Sequence, residues 1–296
     1  MTQTLSLLQN VRQQDIETEP FPHVVVSDVL PEALYRELAE KLPEPSALGV
    51  DESRNNSRWD FGAAQVAKSS GAAPLWKEFI RYHASDAFFR DVVGLFFDSI
   101  HARYPQHFPS QAYMDSLRVG TRFVDNFRKN DILMDAMISG NTPVHTPTSV
   151  RRTHIDNGSK LFSGLFYMRR ENDDSEGGDL QICRFLPHFD TNEAKSARFN
   201  GAYVKNETDI EVVKTIKYSR NCLVLFINTI DSLHGVTVRQ KTGHGRYFVN
   251  LVGETITKLY RQKNGHPVYL NMARPITSGP PPISVVYERI RGRTHA

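Results

Sequence analysis

His154-Ile155-Asp156, with His234 lying 78 positions beyond Asp156, is the stretch on which the reading of this 296-residue chain turns. In an extended strand residues i and i+2 point to one face, so His154 and Asp156 can reach a common point while Ile155 points away. A second strand must deliver the third residue. Cys222-Leu-Val-Leu-Phe-Ile-Asn228 is an apolar, β-branched run typical of a buried strand, and Thr229 to Leu233 reads as the turn that carries His234 to the mouth of a barrel. Two imidazoles and one carboxylate so disposed form the facial triad that holds non-haem Fe(II) with coordination positions left open.

An H-x-D triplet is short, and its meaning depends on its surroundings. After Asn157 come Lys160-Leu-Phe-Ser-Gly-Leu-Phe-Tyr-Met168, an acidic loop from Glu171 to Glu176, and Gly177-Gly178-Asp179-Leu-Gln-Ile182. After His234 come Gly235-Val-Thr-Val-Arg239, a polar turn, and Gly245-Arg246-Tyr-Phe-Val-Asn-Leu251. From about Pro143 to Leu251 this ordered series resembles the prolyl-hydroxylase-like branch of the 2-oxoglutarate and Fe(II)-dependent oxygenases.

The resemblance implies a mainly β fold with flanking α-helices, its core a double-stranded β-helix of the jelly-roll or cupin-like kind. It also implies that His154, Asp156 and His234 ligate Fe(II), with 2-oxoglutarate and O₂ as cosubstrates. Arg246 stands in the place of the family's basic residue that grips the distal carboxylate of 2-oxoglutarate, and Tyr167 in that of a tyrosine bonded to the same carboxylate. Gly177 and Gly178 fit the family's turn between adjacent barrel strands. Arg246 lies twelve positions after His234, farther than is usual, so Gln240 to His244 reads as an insertion. Arg239 is the fallback, although it falls too early for the following strand. A guanidinium suits the role because it binds a carboxylate bidentately and keeps its charge.

The plainer roles stand beside these. A lone tyrosine on a strand is ordinarily core, and Lys160 reads equally as a solvated lysine or an active-site cation. By period-2 alternation Arg152 shares the face of His154 and Arg151 faces outward. Arg152, Lys160, Asn157 and Arg239 are thus the candidate substrate contacts. His145, His188 and His244 lack ligand spacing, and Cys183 and Cys222 read as small buried hydrophobes rather than a disulfide.

Within this family a carboxylate at Asp156 argues for hydroxylation, since related halogenases carry a small residue there, with desaturation or ring closure left open because they start from the same hydrogen abstraction. The demethylases of alkylated nucleobases carry a second arginine soon after the cosubstrate arginine, whereas the residue six positions past Arg246 is Val252, which counts against a nucleic-acid substrate. The favoured substrate is a small polar metabolite, such as an amino acid, a sugar acid or a biosynthetic intermediate, with the nearby cations favouring an anion. A protein or peptidyl side chain such as proline is the enzymatic alternative. A non-catalytic metal- or sugar-binding cupin-like module is the alternative of another class.

The chain, 40% hydrophobic, is long enough for one substantial core and is read as a single domain. Residues 1–115 supply a first strand and bracing helices, 116–252 the barrel with the iron site, and 253–296 a basic extension. That extension holds seven Lys or Arg against two Glu, so the remainder carries −2 and the overall charge of +3 comes from the tail. Gly279-Pro-Pro-Pro282 within it favours an extended path. No apolar run is long enough to span a bilayer, and Met1 to Pro20 shows no secretory pattern, so a cytoplasmic location is expected. Homo-oligomerisation stays open.

Nearer the amino terminus, Phe21 to Val26 reads as a strand, and Asp28 as the cap of a helix near Pro31 bearing Leu34, Leu38 and Leu42. Pro43 to Ser70 reads as a long polar loop at the substrate entrance. Pro74 to His83 and Ser85 to Phe97 read as helices bracing the barrel, and strands are expected from Ser116 to Val252.

Overall fold

The structure, a computed structural model, describes residues 5–263 and 266–269. After a 3₁₀ turn at Gln13–Asp15 come β1 (His23–Ser27) and α1 (Glu32–Glu40), followed by β2 (Arg58–Phe61), α2 (Ala63–Lys68), α3 (Pro74–His83), α4 (Asp86–Arg103) and α5 (Gln111–Ser116). Next come β3 (Val119–Thr121), β4 (Ile132–Asn141), β5 (Lys160–Met168) and β6 (Leu180–Phe185), then α6 (Asn192–Ser196), β7 (Phe199–Asn200) and β8 (Tyr203–Val204). Four strands complete the barrel, namely β9 (Ile210–Ile216), β10 (Arg220–Ile227), β11 (His234–Val236) and β12 (Arg246–Thr255). A hairpin of β13 (Tyr260–Lys263) and β14 (His266–Tyr269) follows.

The larger sheet runs β1-β10-β5-β12-β4-β2, with β3 beside β4, and the smaller runs β11-β6-β9. His154 joins the smaller sheet through an antiparallel bridge to His234. The chain therefore alternates between sheets: β4 in the larger, His154 in the smaller, β5 in the larger, β6 and β9 in the smaller, β10 in the larger, β11 in the smaller, β12 in the larger. Winding of this kind is a double-stranded β-helix.

Both faces of the larger sheet are covered, which explains why its strands read as nearly continuous apolar runs. Tyr167, Val224, Phe226 and Phe248 face inward and pack against Leu180, Ile182 and Ile216 of the smaller sheet. Phe166, Leu223, Leu225, Val249 and Leu251 face outward into a layer formed by α1, α3 and α4, including Tyr35, Trp76, Phe79 and Phe88. Burial of each such side chain contributes roughly 1.5–3 kcal/mol, so this helical layer holds the sheet to one curvature. Tyr104, just past α4, donates its hydroxyl to the carbonyl of Asn228 at 2.6 Å and ties the helical layer to the loop that carries His234.

Several expectations are revised. Pro43 to Ser70 is not one loop: it contains a 3₁₀ turn at Pro45–Leu48, then β2 and α2, and β2 pairs with β4. A four-residue edge strand that alternates exposed charged residues with half-buried aromatic ones is too short to stand out without its partner. Asp28 is not the helix cap; Pro31 holds that position, and Asp28 adopts a positive φ of 49° in the preceding turn. The second bracing helix continues past Phe97 to Arg103. Gly279 to Pro282 lie outside the described residues. Among those described, no helix is long and apolar enough to cross a membrane.

Candidate metal centre

His154, Asp156 and His234 each present a ligand atom, and these atoms lie within 4.8 Å of one another, all three residues being buried. His154 and Asp156 do not share an extended strand. Only His154 is bridged, hydrogen-bonding through its backbone N–H and C=O to His234, and Asp156 follows in irregular chain. The reciprocal backbone pair fixes the two imidazoles, whose ring centres stand 4.2 Å apart.

The hydrogen bonds settle which ring nitrogens are free. Nδ1 of His154 lies 2.8 Å from the carbonyl of Arg152, and Nδ1 of His234 lies 2.9 Å from that of Ser232. A carbonyl can only accept, so Nδ1 carries the proton in both rings and Nε2 presents its lone pair. Nε2 of His154 is buried without a partner and lies 3.9 Å from Oδ1 of Asp156. The other carboxylate oxygen, Oδ2, accepts from Ser163 Oγ at 2.7 Å and from Lys160 Nζ at 3.2 Å. Oδ1 faces the imidazoles and has only a long contact, 3.5 Å, from Arg151 Nη1.

Protonation states suit the same end. Burial lowers both histidines, His154 well below its ordinary range, and so keeps the rings neutral. Burial works to raise Asp156, but the Lys160 ammonium and the Arg151 guanidinium hold its carboxyl well below the usual range. Two neutral nitrogen donors, one ionised carboxylate and an orphaned buried Nε2 fit a divalent transition metal such as Fe(II).

The triad opens into a cavity of about 500 Å³ that also admits Arg246, Arg151 and Lys160. Arg246 is 2% exposed and packs among the rings of Tyr167, Tyr218 and Phe248, 4.9, 5.2 and 4.9 Å from their centroids. Its Nη2 donates to the Tyr167 hydroxyl at 3.0 Å, which leaves the tyrosine proton free to donate in turn. Burial raises the Tyr167 phenol, so that proton is retained. The Arg246 Nε has no partner. A buried guanidinium with no acidic partner, beside a phenol whose proton is free, offers donors and charge that a carboxylate would satisfy.

The substrate-contact candidates divide. Lys160 lines the cavity, but Arg152, Asn157 and Arg239 do not. Arg152 is exposed against Tyr203, while Arg151 turns inward to within 3.5 Å of Asp156, because the chain before His154 is irregular and period-2 alternation fails there. Asn157 accepts locally from the backbone N–H of Ser159. Arg239 is fully buried, donating to Asn56 Oδ1, Thr142 O and His244 O, and serves the loop that leads into β2. Gly177 and Gly178 both take φ of +77°, and a Cβ on Gly177 would stand 1.9 Å from the carbonyl of Val238.

Sequence reasoning missed Arg58, Asp60, Asn141 and Ser163, which also line the cavity. A signal for Asn141 existed: Asp135, Ser139 and Asn141 fall on one face of the otherwise apolar β4.

No family model matches the chain, and no curated protein matches it. Among solved structures it is similar to a prolyl-4-hydroxylase from Pseudomonas putida, at 14% identity and a TM-score of 0.43 over 79% of this chain and 92% of that one. A prolyl 4-hydroxylase from Phytophthora capsici gives 14% identity and 0.43 over 86% and 66%. HygX from Streptomyces hygroscopicus, solved with nickel and 2-oxoglutarate bound, gives 10% identity and 0.38 over 79% and 82%.

Proposed function

We propose that this chain is a non-haem iron dioxygenase that couples oxidative decarboxylation of 2-oxoglutarate to hydroxylation of a C–H bond in a small polar metabolite. The observation that carries the reading is the meeting, in one cavity, of three side chains able to ligate a metal with the buried Arg246, whose Nη2 is bonded to the fully buried Tyr167 behind it. A module that merely held a metal would need only the first.

His154, Asp156 and His234 would hold the iron, and three protein ligands leave positions for exogenous groups. Bound together, iron and 2-oxoglutarate supply the oxidative chemistry, in which one oxygen atom of O₂ enters succinate and the other the substrate hydroxyl, with release of CO₂. The chain itself orients and excludes. Arg246 and Tyr167 bind the distal carboxylate, the first through its charge and fork and the second through its retained proton. Ser163 and Lys160 hold Asp156 Oδ2 and so fix which oxygen faces the metal. Phe226, Leu165 and Leu180 line the cavity with apolar surface that displaces water from the reacting region.

Succinate release is the direct test. With Fe(II), ascorbate and 2-oxoglutarate supplied, free metabolites should stimulate succinate formation, and Asp156→Ala should abolish it. Stimulation by peptides alone would sink the small-molecule reading. Biological activity unchanged in Asp156→Ala would favour a binding module.

A further inference from the structure

A row of polar residues crosses the larger sheet beside the cavity: Arg58 on β2 pairs in register with Asn141 on β4, which pairs with Arg246 on β12. Asp60, two residues beyond Arg58, shares its face. Nε and Nη2 of Arg58 donate to Oδ1 of Asp60 at 2.9 and 2.6 Å, and Ser139 Oγ donates to the same oxygen at 2.5 Å. The Arg58 guanidinium rests on the Phe248 ring, 4.4 Å from its centroid. This leaves Nη1 of Arg58 and Oδ2 of Asp60 without hydrogen bonds among the described residues, on two side chains that line the cavity and are 35% and 40% exposed. Asn141 is 1% exposed, and neither its Nδ2 nor its Oδ1 has a partner. A buried amide with both ends unsatisfied is costly unless a ligand completes it.

We infer that Arg58 and Asp60 bind the head group of the primary substrate, a small 2-amino or 2-hydroxy acid, with Asn141 placed between that head group and the cosubstrate. The inference rests on the reading of Arg246 and Tyr167 as the cosubstrate grip. Both guanidiniums lie against the Phe248 ring, but that of Arg58 is turned onto Asp60 and that of Arg246 onto Tyr167, so the two arginines present their remaining donors to different anions. The free Nη1 suits a carboxylate, and the free Oδ2 of the paired Asp60 suits an ammonium or hydroxyl on the same small molecule.

Charge points the same way. Arg58, Arg122, Arg151, Lys160 and Arg246 line the cavity against Asp60 and Asp156. Arg122 is faced by Asp135 and Glu254, at 3.8 and 3.6 Å. A divalent metal and a dianionic cosubstrate cancel, so a cationic excess remains for an acidic substrate.

The test uses the Fe(II) and 2-oxoglutarate-loaded protein as wild type, Arg58→Gln, Arg58→Lys and Asp60→Asn. The probes are a pool of the common α-amino acids, a pool of the matching 2-hydroxy acids, and inorganic phosphate as a bare anion. One acid pool is expected to stimulate wild-type succinate formation several-fold, with phosphate inert. Arg58→Gln and Asp60→Asn should raise the half-stimulating concentration at least tenfold and Arg58→Lys less, while 2-oxoglutarate affinity, read from the anaerobic charge-transfer band, moves less than threefold. If Arg58→Gln weakens that band as much as Arg246→Gln, Arg58 belongs to the cosubstrate and the inference is overturned. It is equally overturned if neither pool stimulates, or if stimulation ignores Arg58 and Asp60. A wild-type protein that forms no band fails earlier, before any acid is added, and removes the dioxygenase reading together with this inference.

Discussion

Ser163 Oγ donates to Asp156 Oδ2 at 2.7 Å, and Asn228 Nδ2 donates to Ser163 Oγ at 3.0 Å, so a chain of two hydrogen bonds from the end of β10 holds the metal-facing carboxylate. Removing the hydroxyl frees the carboxylate to rotate and strands the Asn228 amide. Ser163→Ala is expected to weaken metal binding about 10- to 100-fold, a range typical of groups that support ligands. Calorimetric titration with Mn(II) measures this without turnover; unchanged affinity would remove Ser163 from the role.

Arg246 should behave differently. Arg246→Gln removes the charge that faces the distal carboxylate but none of the metal ligands. The KM for 2-oxoglutarate should rise about 10- to 100-fold, which corresponds to roughly 1.4–2.8 kcal/mol, with Mn(II) affinity retained. Equal loss of both would mean that the substitution damages the fold.

Metal binding should be visible in stability. A ligand that binds only the folded state at 100 times its Kd adds about 2.7 kcal/mol. For a chain of this length Tm should climb by several degrees on adding Mn(II), and Asp156→Ala should erase the increment. A shift that persists in Asp156→Ala would place the metal elsewhere.

His83 makes stability fall on mild acidification. Its Nδ1 donates to Phe79 O at 2.8 Å, and its Nε2 accepts from the Leu7 backbone N–H at 3.2 Å, so the buried ring is neutral. Burial pushes it from the ordinary 6.5 down to about 3. Since the unfolded chain takes up the proton first, stability is full above pH 6.5 and declines as pH falls toward 3, by up to about 1.4 kcal/mol per pH unit. His83→Gln should flatten that slope in denaturant titrations between pH 6.5 and 5. Parallel slopes for the two proteins would refute the assignment.

Gly177→Ala combines a positive φ with a Cβ lying 1.9 Å from the Val238 carbonyl. A loss of at least about 2 kcal/mol is expected, read as a lower Tm, and an unchanged Tm would contradict the geometry.

The barrel and its triad were legible because two signals coincide: apolar runs long enough to be strands, and ligand types at the ends of those runs. The β10 run and its turn to His234 stand as the sequence suggests. Arg58 and Asp60 were not legible, since β2 is a short edge strand whose place depends on pairing with β4. Arg151 and Arg152 exchanged roles because a period-2 pattern holds only in extended chain. Arg239 reads in the sequence as the fallback for Arg246 and a candidate substrate contact, and only the fold reveals the three acceptors that occupy it.

The central claim is that one cavity binds iron and 2-oxoglutarate together. Anaerobic addition of Fe(II) and 2-oxoglutarate to the apoprotein should produce a visible metal-to-ligand charge-transfer band that Arg246→Ala weakens and Asp156→Ala eliminates. Bound metal with no band in the wild-type protein would contradict the account.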